Sequence, residues 1–234
     1  MHTNEIFERF VTRPAAEVDA TPLPKGKSER VELLYRDLKS DILSAKFQPG
    51  ERLIEERLTE RYNLTSRTPV REVLARLKSE GHVSVRGRSY ISPEYAAESL
   101  LQLYDVRLSL EILAVQGAVS SRAGATTLRS RLQLMADAQA RHDPIAVNAA
   151  DGLFHLAIAE MTGNQVLIDM LSQIHERVFQ IRNLFFATAE EQQDILPPHQ
   201  LLLTAIERGV KEVAMAEMSY HLTESRQKFK DQLN

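Results

Sequence analysis

The chain has 234 residues, of which 43% are hydrophobic and 26% are charged, with no cysteine and a formal net charge of −3. Without cysteine there is no disulfide framework, no thiolate zinc site and no cysteine nucleophile, so any metal must be held by histidine and carboxylate side chains. The apolar runs are too short to span a bilayer and the N-terminus has no apolar signal core, so we expect a soluble, cytoplasmic protein with no membrane partner.

The first 27 residues are predicted to be a flexible N-terminal arm, because Pro, Gly, Thr and Lys are mixed there without a sustained helical or strand period. A first helix is predicted from Ser28, where apolar residues begin to recur at the spacing of one helical face, and the turn Gln48-Pro49-Gly50 ends it. A second short helix is predicted over roughly residues 54–62. These two helices would open a folded domain at residue 28.

A third helix and a β-hairpin complete this predicted domain. The helix begins near Ser66 and Thr68, either of which could cap it, and Pro69 lies in its first turn, where a missing N–H costs nothing. Polar and apolar residues then alternate on both sides of a turn at residues 86–89, which predicts a small hairpin. Three helices followed by a hairpin outline a winged helix-turn-helix over residues 28–92.

Residues 93–234 are predicted to form an all-helical domain of five to seven helices. The predicted breaks between these helices are at Gly124, Asp143-Pro144, Gly163-Asn164, Pro197-Pro198 and Gly209. The predicted fold class is therefore mainly α: an N-terminal winged helix-turn-helix followed by an all-α helical bundle.

The charge is unevenly distributed along the chain. Residues 25–90 carry fifteen Lys and Arg against ten Asp and Glu, a charge of +5, whereas residues 91–234 carry twelve against eighteen, a charge of −6. Nucleic-acid binding depends on Lys and Arg side chains that neutralise phosphates. The basic segment is therefore the candidate DNA-binding part of the chain.

The third predicted helix carries the chemistry for DNA binding. Arg67, Thr68 and Arg71 lie at or near its N-terminus, where side chains and backbone N–H groups can reach phosphates and where Arg can bind guanine through two hydrogen bonds. The alternative interpretation is a solvated basic helix without a DNA partner.

The segment PGERLIEERLTERYNLTSRTPVREVLARLKSEGHVSVRGR resembles the DNA-binding domain of the GntR family of bacterial regulators, through its Thr-Pro-Val-Arg-Glu core and its PGERL turn. It departs from the family in the turn from Asn63 to Arg67, which is one residue longer than the usual Gly-Val-Ser-Arg. The resemblance implies DNA contacts from the third helix and the hairpin. The implied residues are Ser66, Arg67, Thr68, Arg71, Gly87 and Arg88.

Four residues of the helical half could hold a metal ion. Asp151 and His155 are four residues apart and so share one helical face, while His199 and His221 belong to other predicted helices that could converge on them. One carboxylate and three imidazoles suit zinc, nickel, manganese or iron(II). From spacing alone the alternative stays open that these are surface or hydrogen-bonded core residues.

Residues 96–228 resemble the FCD-type ligand-binding domain that accompanies GntR domains in the FadR subfamily. The matching features are the segment 104–111, the Asp151 to His155 segment ahead of Gly163-Asn164, and His199 with His221. The resemblance implies that Asp151, His155, His199 and His221 bind a divalent metal, with zinc as first choice and nickel, manganese or iron as alternatives. It also implies an effector site inside the bundle.

Arg107 is the predicted effector-binding residue, because a buried guanidinium can hold a carboxylate through two parallel hydrogen bonds. The alternative is that Arg107 simply pairs with Glu111, four residues further along the same helix. Arg177 and Arg182 are weaker candidates. His175 matches no metal position and is expected to be structural.

Together the patterns and the resemblance to the GntR family imply a homodimeric transcription regulator, a repressor as is commonest in that family, that binds a two-fold symmetric DNA operator and responds to a small organic-acid or sugar-acid metabolite. One alternative is a metal-dependent hydrolase-type enzyme. Another is a DNA-binding protein whose metal is purely structural. The chain has no HExxH, no Gly-rich phosphate loop and no GxSxG elbow, so we expect no catalytic residues and no enzyme activity.

Overall fold

The structure, a computed structural model, describes residues 3–12, 26–121, 124–185 and 195–232. In chain order the described elements are α1 (Thr3–Thr12), α2 (Lys27–Leu43), α3 (Glu55–Arg61), α4 (Thr68–Ser79), β1 (Ser84–Arg86), β2 (Ser89–Ile91), α5 (Ala97–Ser121), α6 (Ala125–Ala140), α7 (Pro144–Glu160), α8 (Gln165–Phe185), α9 (Leu196–Arg208) and α10 (Lys211–Gln232). The predicted fold class is confirmed.

The chain divides into two compact units. The winged unit is Val18–Tyr95, and the helical unit combines Met1–Glu17 with Ala96–Asn234. The observed division lies three residues after the predicted one between residues 92 and 93. No helix in the described ranges is both long enough and apolar enough to cross a membrane.

The winged unit contains the three helices and the hairpin that the sequence predicts. β1 and β2 are antiparallel, with Ser84 opposite Ile91 and Arg86 opposite Ser89, so Gly87 and Arg88 form the tip of the hairpin. Gly87 has φ +62°, a conformation that glycine adopts without steric cost. The core lies between α2 and α4 and consists of apolar residues that recur at helical spacing. Its buried members include Leu34, Leu38, Ile42, Val70, Leu74 and Leu77.

The turn between α3 and α4 has two features that the sequence left open. Asn63 has φ +51°, in the left-handed region that Asn visits more readily than most residues, and this lets the longer turn follow α3 directly. Pro69 lies in the first turn of α4 as predicted. The predicted side-chain cap is wrong: Arg67 occupies the cap position, and no capping side-chain hydrogen bond forms there among the described residues. Thr68 is already helical and so cannot cap the helix.

The helical unit is built around α7. Six helices from α5 to α10 lie in the described ranges, within the predicted five to seven. Residues 146–159 of α7 are buried all round, because α1, α5, α6 and α8 pack against it. A helix that is buried on every side is expected to be apolar. Asn148, Asp151 and His155 are the polar exceptions, and two of these belong to the site described below.

The prediction of a flexible arm over residues 1–27 is wrong for residues 3–12. These form α1, which buries Phe7 completely and brings its ring centroid to 5.0 Å from that of Phe179 on α8. Glu8 accepts a 2.8 Å hydrogen bond from Arg131 on α6. Lys27 begins α2, and residues 1–2 and 13–25 of the predicted arm lie outside the described residues. The apolar pattern of ten residues is too short to indicate a stable helix without the surface on which it packs.

The contact between α1 and α7 gives a testable prediction. A methyl group on Gly152 would lie 2.5 Å from Cε2 of Phe7. Gly152→Ala is therefore expected to lower the free energy of unfolding by about 1–3 kcal/mol through overpacking. In a Phe7→Ala background, Gly152→Ala is expected to raise the free energy of unfolding by about 0.8–1.0 kcal/mol, because alanine is a better helix former than glycine. Urea unfolding of the four proteins measures both effects. Destabilisation by Gly152→Ala in both backgrounds would contradict the observed packing of α1.

Candidate metal centre and nucleic-acid interface

Three helices of the helical unit bring four ligand-capable side chains together. Asp151 and His155 lie one turn apart on α7, His199 lies in the first turns of α9 and His221 lies near the middle of α10. One ligand atom from each of the four lies within 4.8 Å of the other three. His199, His155 and Asp151 are buried and His221 is half-buried. The four predicted metal ligands therefore form one cluster.

The distances within this cluster suit a small cation. His199 Nε2 lies 3.2 Å from Asp151 Oδ1, and His155 Nε2 lies 3.3 Å from His221 Nε2 and 4.0 Å from Asp151 Oδ1. Zinc bonds of about 2.0–2.1 Å in a tetrahedron would put neighbouring ligand atoms roughly 3.3–3.4 Å apart. The observed separations need only small shifts of the side chains to meet that requirement.

A hydrogen bond to the backbone determines which nitrogen of His199 is free. Nδ1 lies 2.6 Å from the carbonyl oxygen of Ile195, which only accepts, so Nδ1 carries the proton. The lone pair of Nε2 then faces Oδ1 of Asp151, and neither atom has a hydrogen-bond partner among the described residues. Two buried acceptors in contact are unfavourable unless a cation lies between them. The donor set therefore fits a metal ion.

His155 is oriented in the same way by a carboxylate. Its Nδ1 lies 3.1 Å from Oε2 of Glu111 on α5, and because the carboxylate only accepts, Nδ1 is the donor. Nε2, the nitrogen that faces His221, is left with its lone pair. Metal-binding histidines commonly donate their other ring N–H to a carboxylate or carbonyl, which holds the ring in the binding orientation.

Asp151 is held by a cation on its outer side. Its Oδ2 accepts a 2.8 Å hydrogen bond from Nη1 of Arg182 on α8, while Oδ1 faces the cluster. Burial raises the pKa of Asp151, but the positive charge of Arg182 outweighs burial and holds the pKa well below its usual range. The carboxylate is therefore ionised and ready to bind a cation. Arg182, a weak effector candidate from the sequence, acts here on Asp151.

Burial keeps two imidazoles of the cluster, those of His155 and His221, neutral. Burial lowers the pKa of His155 from its ordinary 6.5 to about 4. Burial also lowers the pKa of His221, and the neighbouring imidazoles lower it further. Neutral imidazole is the form that binds metals. At neutral pH, His155 and His221 therefore present neutral nitrogens and Asp151 presents a charged oxygen.

A second group of ligand-capable residues shares His155 but is already satisfied. Oε1 of Glu111 accepts hydrogen bonds from His175 Nε2 at 2.8 Å and from Arg107 Nε at 3.2 Å, while Oε2 accepts the one from His155. No pair of acceptors faces each other in this group, so no cation is needed. The sequence marked His175 as structural, and nothing in its spacing linked it to Glu111, which is 64 residues earlier.

Arg107 is 1% exposed, and its two ends differ. Nε makes the predicted pair with Glu111, whereas Nη1 and Nη2 have no hydrogen-bond partner within the described ranges. A buried guanidinium that leaves two nitrogens unpaired is costly, so a second acceptor is expected to bind there. The alternatives drawn from the sequence, pairing with Glu111 and binding an anion, are thus compatible with each other.

In the winged unit, all six predicted DNA-contact residues are exposed. Those around the start of α4 are Ser66, Arg67, Thr68 and Arg71, and those at the tip of the hairpin are Gly87 and Arg88. Two basic side chains at the start of α4, those of Arg71 and of the cap residue Arg67, make ion pairs that the sequence did not predict. Arg71 Nε lies 2.7 Å from Glu55 Oε2, and Arg67 pairs with Glu56, both carboxylates standing at the start of α3. Exposed ion pairs are weak, so phosphate or base groups can replace them.

The chain matches known families over most of its length. Residues 30–91 match the bacterial regulatory proteins of the gntR family, and residues 102–224 match the FCD domain. The chain is 28% identical over 187 residues to the HTH-type transcriptional repressor GlaR of Escherichia coli strain K12, covering 74% of this chain and 83% of that protein. It is 31% identical over 163 residues to the Uxu operon transcriptional regulator of the same strain, covering 62% of each. The solved structure of E. coli McbR/YncC is similar with a TM-score of 0.76 and 26% identity, covering 87% of this chain and 98% of that one.

Proposed function

This chain belongs to the GntR family and is a transcription regulator with a C-terminal FCD domain, and we propose that it is a homodimeric repressor controlled by a carboxylate metabolite that binds beside a divalent metal. The observation that carries the proposal is the buried cluster of the helical unit. There, Asp151 Oδ1 and His199 Nε2 face each other without a hydrogen-bond partner among the described residues. Nη1 and Nη2 of Arg107 also have no partner in those ranges, and Glu111 links Arg107 to His155 of the cluster.

The metal would be held by Asp151, His155, His199 and His221, with zinc favoured by three imidazoles and one carboxylate. When bound, it would supply a Lewis acid able to take an oxygen of the metabolite. Arg182 keeps the carboxylate of Asp151 ionised, and the carbonyl of Ile195 holds the ring of His199 in its binding orientation. These contacts favour a site whose ligand side chains are already oriented before a metal binds.

The metabolite would place a carboxylate on Nη1 and Nη2 of Arg107. A planar guanidinium matches a carboxylate through two parallel hydrogen bonds, and both nitrogens are available within the described ranges. This supports a small organic acid or sugar acid as the effector class. An acid that binds one state of the regulator more tightly shifts the population toward that state, and a repressor is released when this state has lower operator affinity.

The winged unit would contact the operator through α4 and the hairpin. Arg67, Thr68 and Arg71 would approach base edges and phosphates in the major groove, and Gly87 with Arg88 would lie against the backbone. A homodimer would present this surface twice, so the expected operator has two-fold symmetry with half-sites about one helical turn apart. The relative GlaR is named a transcriptional repressor, which supports the proposed direction of control.

The test begins with operator selection. Duplexes enriched from a random pool by the zinc-loaded protein are expected to share a palindromic sequence, and their affinity for the protein should fall when a small organic acid is added. Removal of the metal by a chelator should abolish that response. Failure to enrich any sequence would contradict the DNA-binding proposal. Chemical turnover of an acid by the protein would instead support the metal-dependent enzyme.

Substitution of Arg107 tests the effector site. Arg107→Gln is expected to weaken binding of the responding acid roughly 10–150-fold, because charge-assisted hydrogen bonds contribute about 1.5–3 kcal/mol. Operator affinity without acid should be unchanged. Arg177, a weaker effector candidate from the sequence, is exposed on α8 rather than buried beside Arg107, so Arg177→Gln serves as the matched control and should respond like the parent protein. Calorimetry with the acid measures the effect, and equal acid affinity in both variants would remove Arg107 from the site.

A further inference from the structure

Three side chains, those of His155, Arg107 and His175, converge on the single carboxylate of Glu111, which is fully buried. Oε2 accepts from Nδ1 of the metal ligand His155 at 3.1 Å. Oε1 accepts from Nε of Arg107 at 3.2 Å and from Nε2 of His175 at 2.8 Å. One side of this carboxylate therefore faces the proposed metal centre, and the other faces the proposed effector site.

We propose that Glu111 is the positioning residue that makes metal binding and effector binding interdependent, by holding His155 and Arg107 on its two oxygens. This inference rests on the proposed function, because it requires that the cluster binds a metal and that Arg107 binds a carboxylate. It adds that each site has its highest affinity only when the other site is occupied.

The geometry at His155 gives the first reason. Neutral imidazole exists as two tautomers, and only the one protonated on Nδ1 has its lone pair on Nε2, which faces His221 and Asp151. Glu111 selects this tautomer because a carboxylate can only accept. A glutamine at this position would have one accepting oxygen and one donating amide group. Its oxygen could accept hydrogen bonds either from His155 or from Arg107 and His175. Its amide N–H groups would then face the N–H groups on the other side, where no hydrogen bond could form.

The charges give the second reason. Arg107 and His155 bind the two oxygens of one buried carboxylate, so the positive charge of Arg107 lies close to the ring nitrogens of His155. The same charge opposes a metal cation at these nitrogens. A carboxylate bound to Nη1 and Nη2 would neutralise Arg107 and relieve this repulsion, while Glu111 would keep the guanidinium in place through Nε. By linkage, the metal must then strengthen carboxylate binding by the same factor.

In a regulator with these contacts, the response to the acid requires a bound metal. The hydrogen-bonded path from Arg107 through Glu111 to His155 spans α5 and α7, so occupancy of both sites also ties these two helices together. His175 adds a third anchor from α8. Together these contacts offset the desolvation cost of the buried carboxylate of Glu111.

Metal titrations with and without acetate, the simplest carboxylate, test the proposal. Cobalt(II) reports its coordination through its visible absorption, and competition with a chelator then yields the zinc affinity. In the parent protein, saturating acetate is expected to tighten zinc binding about 5-fold or more. Glu111→Gln is expected to weaken zinc binding roughly 10–100-fold and to reduce the acetate effect. Glu111→Asp keeps the charge and both oxygens and should recover part of each.

The tautomer of His155 can be measured in the parent protein, without any variant. Ring nitrogen NMR of the metal-free parent protein is expected to show His155 protonated on Nδ1, and the opposite tautomer would overturn the proposal. Equal zinc affinity and equal acetate coupling in the parent protein and in Glu111→Gln would also overturn it, while leaving the metal site itself intact. If the parent protein binds no metal, the proposed function fails together with this inference. The outcomes are therefore distinguishable.

Discussion

Replacing both His199 and His221 with alanine is expected to abolish tight metal binding and, with it, the response to the acid. Removal of a hydrogen-bonded partner of a ligand typically costs 10–100-fold in affinity, and the loss of two direct ligands is expected to cost more than that. Asp151 and His155 would remain one turn apart on α7 but would offer only two of the four donors. The variant should therefore release zinc to a weak chelator.

The matched control for this experiment is His142→Asn. His142 is an exposed imidazole outside the cluster with φ +54°, and asparagine accommodates that conformation better than alanine does. Metal content after dialysis and acid-dependent operator release are measured for the parent protein and for both variants. A double variant that keeps its zinc and still responds to the acid would contradict the sensor proposal.

Arg71→Ala is expected to cause the largest loss of operator affinity among changes in the winged unit. A base-contacting arginine contributes about 1–3 kcal/mol, and a two-fold symmetric complex loses it in both half-sites. The expected weakening is therefore at least roughly 30-fold. Arg71 is 62% exposed, and its only ion-pair partner among the described residues is Glu55, so thermal stability should change little.

Arg129→Ala provides a closely matched control for Arg71→Ala. The side chain of Arg129 is also 62% exposed, and its Nε lies 2.7 Å from Glu207, just as Nε of Arg71 lies 2.7 Å from Glu55. Arg129 belongs to the helical unit, so its removal changes the net charge equally without touching the proposed DNA surface. Fluorescence anisotropy on the selected operator compares the two variants. Equal affinities would remove Arg71 from the DNA contacts.

The winged unit was predictable because each of its elements has a local cause. Apolar spacing predicted α2 and α4, Pro69 indicated the start of α4, and the alternation on either side of Gly87 indicated the hairpin. The capping of α4 was predicted wrongly, since Ser66 and Thr68 are both capping residue types and only the backbone path shows that the cap position is Arg67.

The supports of the candidate metal centre were not predictable in the same way. Asp151 and His155 share a helical face by spacing, and the family resemblance singled out His199 and His221. Glu111 contacts His155 from 44 residues away, and Arg182 contacts Asp151 from 31 residues away. No local pattern encodes such contacts, because they depend on how α5 and α8 pack against α7.

By itself the sequence determined the order and type of the elements, the basic character of the winged unit and the residue types that could bind a metal. It did so because helical and strand periodicity, turn chemistry and charge act over a few residues. Only the tertiary structure decided that residues 3–12 pack as a helix on α7, and that one buried carboxylate joins Arg107 to His155. Both depend on desolvation, since a short apolar helix gains stability only from the surface it covers, and a buried charge must find its partners wherever the packing places them.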